Sequence, residues 1–315
     1  MKNRRVGIVG AGAVGATAAY TLMMLGTCRE IILFDIAEGV AKGKAIDMAQ
    51  AAYYGKGNTS ITAAEDASEI KDCDIVVVTA GVPRKGDMTR ADLLMINAKI
   101  TKQVVQNIKE NSPDAIIICV SNPLDVMTYV TKEITGWESN RIVGLAGALD
   151  GSRMAYQIQK LTGYSLKQTG SLVIGDHGEF MIPLPHKVSV GDVPLTELIS
   201  KDEMQGIIER TKFGGAEIVK HLGTSGYYGP GRAIAQMVEA ILDDSKSLIS
   251  CCTILNGEYG YSDVAVGVPV VLGANGVEKI IEIDLDKETQ EKFALSVKSI
   301  QENIAILREN NFFNS

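Results

Sequence analysis

One of the three histidines stands in a setting that suits proton transfer. His177 lies in the sequence Gly-Asp-His-Gly, directly after the apolar residues 172–174. The flanking glycines leave the imidazole accessible, and an ordinary histidine pKa of about 6.5 suits a general acid or base near neutral pH. His186 follows a proline and His221 lies near a predicted helix end, so we interpret both as surface or capping residues. His177 is therefore the candidate for acid–base chemistry.

Three arginines lie where they could bind an anionic substrate. Arg84 and Arg90 belong to one loop that follows a predicted buried strand, and ligands bind at the carboxyl ends of such strands. Gly86 lies between them and would let the loop close as a lid, although a solvated basic loop is the alternative. Arg153 follows Asp150 by three residues at a predicted helix start, which places both on one face. By itself that pair could be an ordinary capping box or a surface ion pair.

A glycine-rich turn could hold a dinucleotide. The hexapeptide Gly-Ala-Gly-Ala-Val-Gly begins at Gly10, after a predicted strand and before a predicted helix, which is the context of a phosphate-binding turn. Gly10 would form the tight turn, Gly12 would admit a pyrophosphate, and Gly15 would let the helix pack closely. Asp35, twenty residues after Gly15, would bind ribose hydroxyls and repel a 2′-phosphate, which favours NAD over NADP. A structural turn with a surface aspartate is the alternative.

Strands and helices must alternate to position these residues. In the first half of the chain, β-branched runs predict parallel strands that are buried on both faces, with helical segments between them. The predicted strands are 5–9, 30–35, 74–80, 115–120 and 141–144, and the predicted helices are 16–25, 40–53 and 91–111. This order predicts an α/β fold with a Rossmann-type, doubly wound parallel sheet.

In the second half of the chain, short predicted strands no longer alternate regularly with helices, which predicts a mixed α+β domain. Its predicted helices are 152–161, 201–221, 233–242 and 287–308, and its predicted strands are 172–174, 187–190 and 266–272. Helical spacing in the last helix puts five apolar residues on one face: Phe293, Val297, Ile300, Ile304 and Leu307. We expect a cofactor-binding domain over residues 1–147 and a substrate domain over residues 148–315.

Composition excludes several classes of protein. The chain has 315 residues, of which 46% are hydrophobic and 22% charged, as in an ordinary globular protein of about two domains. A net charge of −7 without a basic block argues against nucleic acid as a partner. Residues 6–28 carry no charge, but their five glycines favour a strand and a helix over a membrane span. The five cysteines form no metal-binding pattern and predict buried thiols in a cytoplasmic protein.

Five motifs together resemble the lactate/malate dehydrogenase family over nearly the whole chain. In order they are GAGAVG, AGVPRKGDMTR, SNPLD, LAGALDGSR and GDHG. The chain most resembles the malate-specific members of the lactate-dehydrogenase-like branch. The resemblance implies a Rossmann cofactor domain and reversible NAD-linked oxidation of (S)-malate to oxaloacetate, a reaction of the tricarboxylic acid cycle. It also implies a homo-oligomer, either a tetramer or a dimer. The cysteine pattern and the glycines of residues 6–28 predict no bound metal and no membrane partner.

The resemblance also implies a role for each candidate residue. His177 would be the general acid/base, and Asp150 would orient it and favour its protonated form. Arg153 would bind the substrate carboxylate with a two-pronged contact. Arg90 would polarise the carbonyl as the loop closes. Asn122, in the SNPLD motif at the end of a predicted strand, would hydrogen-bond to the substrate and lie near the nicotinamide.

Arg84 and Gly226 are the residues expected to select the substrate. A second carboxylate in a closed pocket needs a cationic partner, which Arg84 would supply, and Gly226 would leave room for the larger acid. The chain departs from the family pattern at Gly86-Asp87, where Pro-Gly is usual, and at Glu179, where Asp is usual. An L-lactate or other 2-hydroxyacid dehydrogenase is the alternative within the family. A non-catalytic NAD-binding regulatory protein is the alternative outside it.

Overall fold

A computed structural model describes residues 3–83 and 88–314. The strands in these residues are β1 (Arg5–Val9), β2 (Glu30–Phe34), β3 (Ser60–Ala63), β4 (Ile75–Val78), β5 (Ile116–Cys119), β6 (Ile142–Gly144), β7 (Val173–Ile174), β8 (Ile182–Pro183), β9 (Ser189–Val190), β10 (Val193–Pro194), β11 (Ser247–Asn256), β12 (Ser262–Gly273) and β13 (Gly276–Ile280). The helices are α1 (Ala13–Leu25), α2 (Glu38–Ala51), α3 (Arg90–Asn111), α4 (Leu124–Thr135), α5 (Ala146–Thr162), α6 (Leu195–Leu198), α7 (Lys201–Leu222), α8 (Tyr228–Leu242) and α9 (Lys287–Glu309).

One large sheet organises the part of the chain that the structure describes. Its nine strands lie in the order β13-β12-β11-β6-β5-β4-β1-β2-β3. The six strands from β6 to β3 in this order pair in parallel, and β4 and β5 are buried along their whole length. The doubly wound parallel sheet predicted from the sequence is therefore confirmed.

The second half of the chain extends this sheet, which the sequence did not predict. Cys252 of β11 pairs antiparallel with Gly144 of β6, and β12 and β13 continue outward in antiparallel pairs. The short edge strand β3 and the helix α4 were also not predicted. Pairing between residues so far apart in the chain leaves no local sequence signal, and β11 mixes polar Ser and Thr into its apolar run.

Helix α5 begins earlier than predicted because its glycines serve packing rather than termination. A Cβ atom on Gly147 would lie 2.4 Å from the hydroxyl of Ser250, so this helix approaches β11 as closely as a glycine allows. Gly151 is a second such contact, and its Cβ would clash with a neighbouring serine. The prediction of a helix start at this point was wrong: Asp150 and Arg153 lie inside α5, where their spacing still places them on one face.

The start of α3 is fixed by a reciprocal cap, which determines where Arg90 lies. The backbone N–H of Asp92 donates to the hydroxyl of Thr89 at 3.1 Å, and the N–H of Thr89 donates to the Asp92 carboxylate at 3.0 Å. Such a capping box stabilises a helix start by satisfying two backbone donors. Arg90 is consequently the first residue of the helix.

The predicted apolar face of α9 and the predicted buried thiols are confirmed. Phe293, Val297, Ile300, Ile304 and Leu307 are all at most 3% exposed. All five cysteines are free and buried. The described residues contain no group of three or more His, Cys, Asp or Glu side chains placed to hold a metal ion.

The uncharged run over residues 6–28 is divided between two short elements. Most of it forms β1 and α1, joined by the glycine-rich turn, and α1 ends at Gly26 in a left-handed conformation with φ +68°. Among the helices that the structure describes, none has the length and hydropathy needed to cross a membrane.

Candidate active site

Two cavities open at the carboxyl ends of the parallel strands. The first, of about 410 Å³, follows β1, β2 and β4, and its lining includes Gly10, Gly12, Asp35, Thr79, Gly81 and Val82. The second, of about 580 Å³, follows β5 and β6 beside α5, α7 and α8, and its lining includes Asn122, Arg153, His177 and Gly226. We call the first the cofactor cavity, because it contains the residues predicted to bind the cofactor. We call the second the substrate cavity, because it contains residues predicted to bind the substrate.

The glycine-rich turn has the geometry that each of its three glycines predicts. Gly10 has φ +108°, and a Cβ there would lie 2.5 Å from the hydroxyl of Thr79. Gly12 has open space where its Cβ would stand, so a ligand could approach its backbone. A Cβ on Gly15 would lie 1.9 Å from the carbonyl oxygen of Gly10. Gly12 offers no side chain to cap α1, which leaves the N–H groups of the first turn available to an anion.

The carboxylate of Asp35 is fixed at the edge of the cofactor cavity by two backbone donors. The N–H of Ala11 donates to Oδ2 at 2.6 Å, and the N–H of Ala37 donates to Oδ1 at 2.9 Å. Lys44 of α2 donates from Nζ to the carbonyl of Ala11 at 2.6 Å. The remaining lone pairs of this carboxylate fit ribose hydroxyls. Lys44 was missed because a single lysine in a helix gives no distinctive pattern.

His177, Asp150 and Arg153 form a hydrogen-bonded chain in the substrate cavity. Nδ1 of His177 lies 2.6 Å from Oδ2 of Asp150, and Nη1 of Arg153 donates to Oδ1 of the same carboxylate at 2.9 Å. The side chain of Asp150 is 2% exposed and that of His177 is 13% exposed. The carboxylate therefore occupies Nδ1 and leaves Nε2 of the imidazole for another partner.

The surroundings of His177 favour its protonated form. Burial lowers the pKa of His177, but the charge of Asp150 and its hydrogen bond to the ring raise it more. A charge on Asp125 also raises this pKa, and the charge of Arg153 lowers it. The net result is a pKa above the ordinary value for histidine.

Gly226 lines the substrate cavity and packs closely against α7. A Cβ on Gly226 would lie 3.2 Å from Cγ2 of Ile218 in α7. Asn122 lines the same cavity directly after β5, and Tyr228 at the start of α8 closes another part of the wall. Gly226 and Asn122 thus line the same cavity as His177.

Arg90 lies outside this cavity. Its side chain is 84% exposed, and its Nη2 atom is 3.9 Å from Oε2 of Glu179, two residues beyond His177. The structure therefore brings Arg90 near the loop of His177 without placing it among the residues that line the substrate cavity. Arg84 and Gly86 fall outside the described residues, so their expected roles stay predictions.

Asn97 links the two cavities and was missed from the sequence. Its Nδ2 donates to the carbonyl of Asn122 at 2.7 Å, and its Oδ1 accepts from the N–H of Val82 at 2.9 Å. Val82 lines the cofactor cavity and Asn122 lines the substrate cavity, so the two are adjacent. The available signal was a polar residue within the buried stripe of α3, between Leu94 and Thr101.

Comparisons with known proteins agree over nearly the whole chain. Residues 4–144 match the family description lactate/malate dehydrogenase, NAD binding domain, and residues 147–310 match lactate/malate dehydrogenase, alpha/beta C-terminal domain. A malate dehydrogenase of Sulfurimonas denitrificans is 53% identical over 313 residues, which cover 99% of this chain and 98% of that protein.

Solved structures show the same likeness. The malate dehydrogenase from Picrophilus torridus in its apo form superposes with a TM-score of 0.95 at 37% identity and covers 99% of both chains. A minor L-lactate dehydrogenase from Enterococcus mundtii has a TM-score of 0.93 at 30% identity and covers 97% of this chain and 98% of that one.

Proposed function

Because the chain belongs to the lactate/malate dehydrogenase family, we propose that it catalyses the reversible oxidation of (S)-malate to oxaloacetate. The protein is an NAD-dependent oxidoreductase, since its first half matches the NAD binding domain of that family. The observation that carries the proposal is the buried His177–Asp150 pair beside Arg153, in a cavity adjacent to the cofactor cavity.

The cofactor residues fit NAD on the geometry of this chain. The N–H groups at the start of α1 would bind the pyrophosphate, and Asp35 would accept hydrogen bonds from the ribose hydroxyls. Gly12 leaves the open space that such an approach needs. When bound, NAD supplies the acceptor for a hydride from the substrate carbon.

The proton transfer is the task of His177. In malate oxidation, Nε2 would accept the hydroxyl proton, while Asp150 holds the opposite ring nitrogen and stabilises the imidazolium that forms. In oxaloacetate reduction the same atom would return the proton. Arg90 would have to move from Glu179 into the cavity to polarise the carbonyl.

Arg153 is suited to bind the carboxylate next to the reacting carbon. One of its terminal nitrogens is held by Asp150, and its Nε atom is buried without a hydrogen-bond partner among the described residues. A buried N–H of a guanidinium is costly without an acceptor, and a bound anion could supply one. Asn122, in the same cavity, would donate a further hydrogen bond to the substrate.

Malate is proposed over lactate on two grounds. A relative named malate dehydrogenase is 53% identical, whereas the L-lactate dehydrogenase structure is 30% identical. Arg84 would pair with the second carboxylate of oxaloacetate, which pyruvate lacks. The test is kcat/KM for oxaloacetate and for pyruvate with NADH, and a preference for pyruvate would contradict malate specificity.

Arg84→Gln sharpens that test. Loss of the cation would leave the second carboxylate of oxaloacetate without a partner, so we expect the oxaloacetate-to-pyruvate ratio of kcat/KM to fall by about tenfold or more. An unchanged ratio would show that another residue selects the substrate. Pyruvate turnover by the variant serves as the control for an intact active site.

The homo-oligomeric state and the division at residue 147 stay predictions. Sedimentation velocity would distinguish a monomer, a dimer and a tetramer. A non-catalytic NAD-binding role would be favoured only if the protein bound NADH and turned over neither keto acid.

A further inference from the structure

A second buried acid contacts His177 at its backbone. Asp125 lies in the first turn of α4 and is 5% exposed. Its Oδ2 accepts a hydrogen bond from the N–H of His177 at 2.8 Å. Asp150 of α5 holds the ring of the same histidine, so acids from two different helices fix one residue at two points.

The surroundings of Asp125 disfavour a charge on it. Burial raises its pKa, and the nearby charge of Asp150 raises it further, while the N–H and charge of His177 and the thiol of Cys252 oppose the rise. Oδ1 of Asp125 is buried without a hydrogen-bond partner among the described residues. A carboxylate with one oxygen so placed is costly, which favours the neutral acid.

The other titratable groups around this acid belong to three elements. Asp176 lies in the loop of His177, and burial and the charge of Asp125 raise the pKa of Asp176 to about 7. Cys252 belongs to β11, where burial raises its pKa well above the ordinary range. Asp150 belongs to α5 and binds Arg153, whose charge lowers the pKa of His177. A charged Asp125 would add a further anion to this group.

We propose that Asp125 is a positioning residue, whose uncharged carboxyl group fixes the backbone of His177 so that the imidazole faces the substrate. An uncharged Asp125 would not contribute to the pKa of the ring, which a charged Asp125 would raise, and it would supply an acceptor at a fixed place. This inference rests on the proposed function insofar as His177 is the group that transfers the proton.

Two substitutions at Asp125 test whether His177 needs a hydrogen-bond acceptor at this position or a negative charge. Asp125→Asn keeps an acceptor oxygen and resembles the neutral acid in shape, whereas Asp125→Leu removes the acceptor at similar volume. We expect kcat for oxaloacetate reduction to fall on the order of a hundredfold in the leucine variant, because the imidazole is misplaced. We expect the asparagine variant to stay within about threefold of the unmodified protein.

A titration that needs no turnover provides the second measurement. The chain has only three histidines, so the NMR signal of His177 can be assigned by substituting His186 and His221. We expect Asp125→Asn to leave the pKa of His177 unchanged, and Asp150→Asn, the matched control, to lower it. NADH affinity and the urea midpoint show whether each variant is folded.

The outcomes are distinct. Wild-type kcat in a folded Asp125→Leu protein would overturn the proposal, and so would a tenfold loss or a shifted His177 titration in Asp125→Asn. If the leucine variant does not fold, the proposal is judged on the activity and the His177 titration of the asparagine variant. If the unmodified protein turns over no keto acid, the proposed function fails, whereas the titration still shows whether Asp125 carries a charge that acts on His177.

Discussion

The cofactor cavity and the substrate cavity are built by different means. In the first, the glycine-rich turn acts through its backbone, since Gly12 leaves open space and Gly15 packs against the preceding turn. Side chains from separate elements form the second, where His177 and Asp150 meet from positions 27 residues apart. A cavity made by backbone is sensitive to added atoms, and one made by charged side chains is sensitive to the loss of a group. Substitutions should therefore separate NADH binding from turnover.

The largest expected effect is at His177. His177→Asn removes the group that transfers the proton, so we expect kcat to fall by about 10²–10⁴-fold in both directions. NADH affinity should not change, because His177 does not line the cofactor cavity. Stopped-flow turnover and NADH fluorescence titration measure the two effects. A comparable loss of NADH binding would contradict the separation of the two cavities.

A smaller effect with a defined pH dependence is expected at Asp150. Its carboxylate raises the pKa of His177 against the effect of burial, so Asp150→Asn should lower that pKa. Oxaloacetate reduction needs the imidazolium and falls as pH rises through the pKa, whereas malate oxidation needs the neutral ring and rises there. Both limbs should move to lower pH in the variant, and kcat for reduction at neutral pH should fall on the order of a hundredfold. If the pH profiles of kcat/KM did not shift in the variant, Asp150 would not be the residue that raises the pKa of His177.

In the cofactor cavity, Gly15→Ala should act through the fold. The added Cβ would lie 1.9 Å from the carbonyl oxygen of Gly10, so α1 must shift. We expect a loss of about 1–3 kcal/mol in the free energy of unfolding, together with weaker NADH binding. Urea unfolding and fluorescence titration measure both, and unchanged values would show that the turn is more tolerant than its geometry indicates.

Gly12→Ala is the matched variant with the smallest effect on the fold. The added Cβ enters open space, and the extended backbone of Gly12 suits alanine, so stability should change by no more than about 0.5 kcal/mol. NADH binding should weaken by about tenfold, because the methyl group occupies the approach to the backbone. Equal affinity for NADH in this variant and the unmodified protein would place the pyrophosphate elsewhere.

The same contrast explains what the sequence could predict. The glycine-rich turn is contiguous, so its strand, helix and acid at Asp35 followed from local pattern. The meeting of His177 with Asp150 was expected from motifs in a fixed order, since distant contacts leave no local signal. No motif indicated that Asp125, 52 positions from His177, would contact it. The pairing of β11 with β6 likewise had no motif to predict it. The exposed position of Arg90 depends on loop geometry rather than on residue type.

Parallel turnover measurements on the unmodified protein and His177→Asn test the central claim most directly. Both proteins are first shown to bind NADH and are then mixed with oxaloacetate while NADH consumption is followed. The account predicts rapid consumption by the unmodified protein and a loss of at least about a hundredfold in the variant at equal NADH occupancy. Similar rates in the two proteins, or no consumption by the unmodified one, would contradict it.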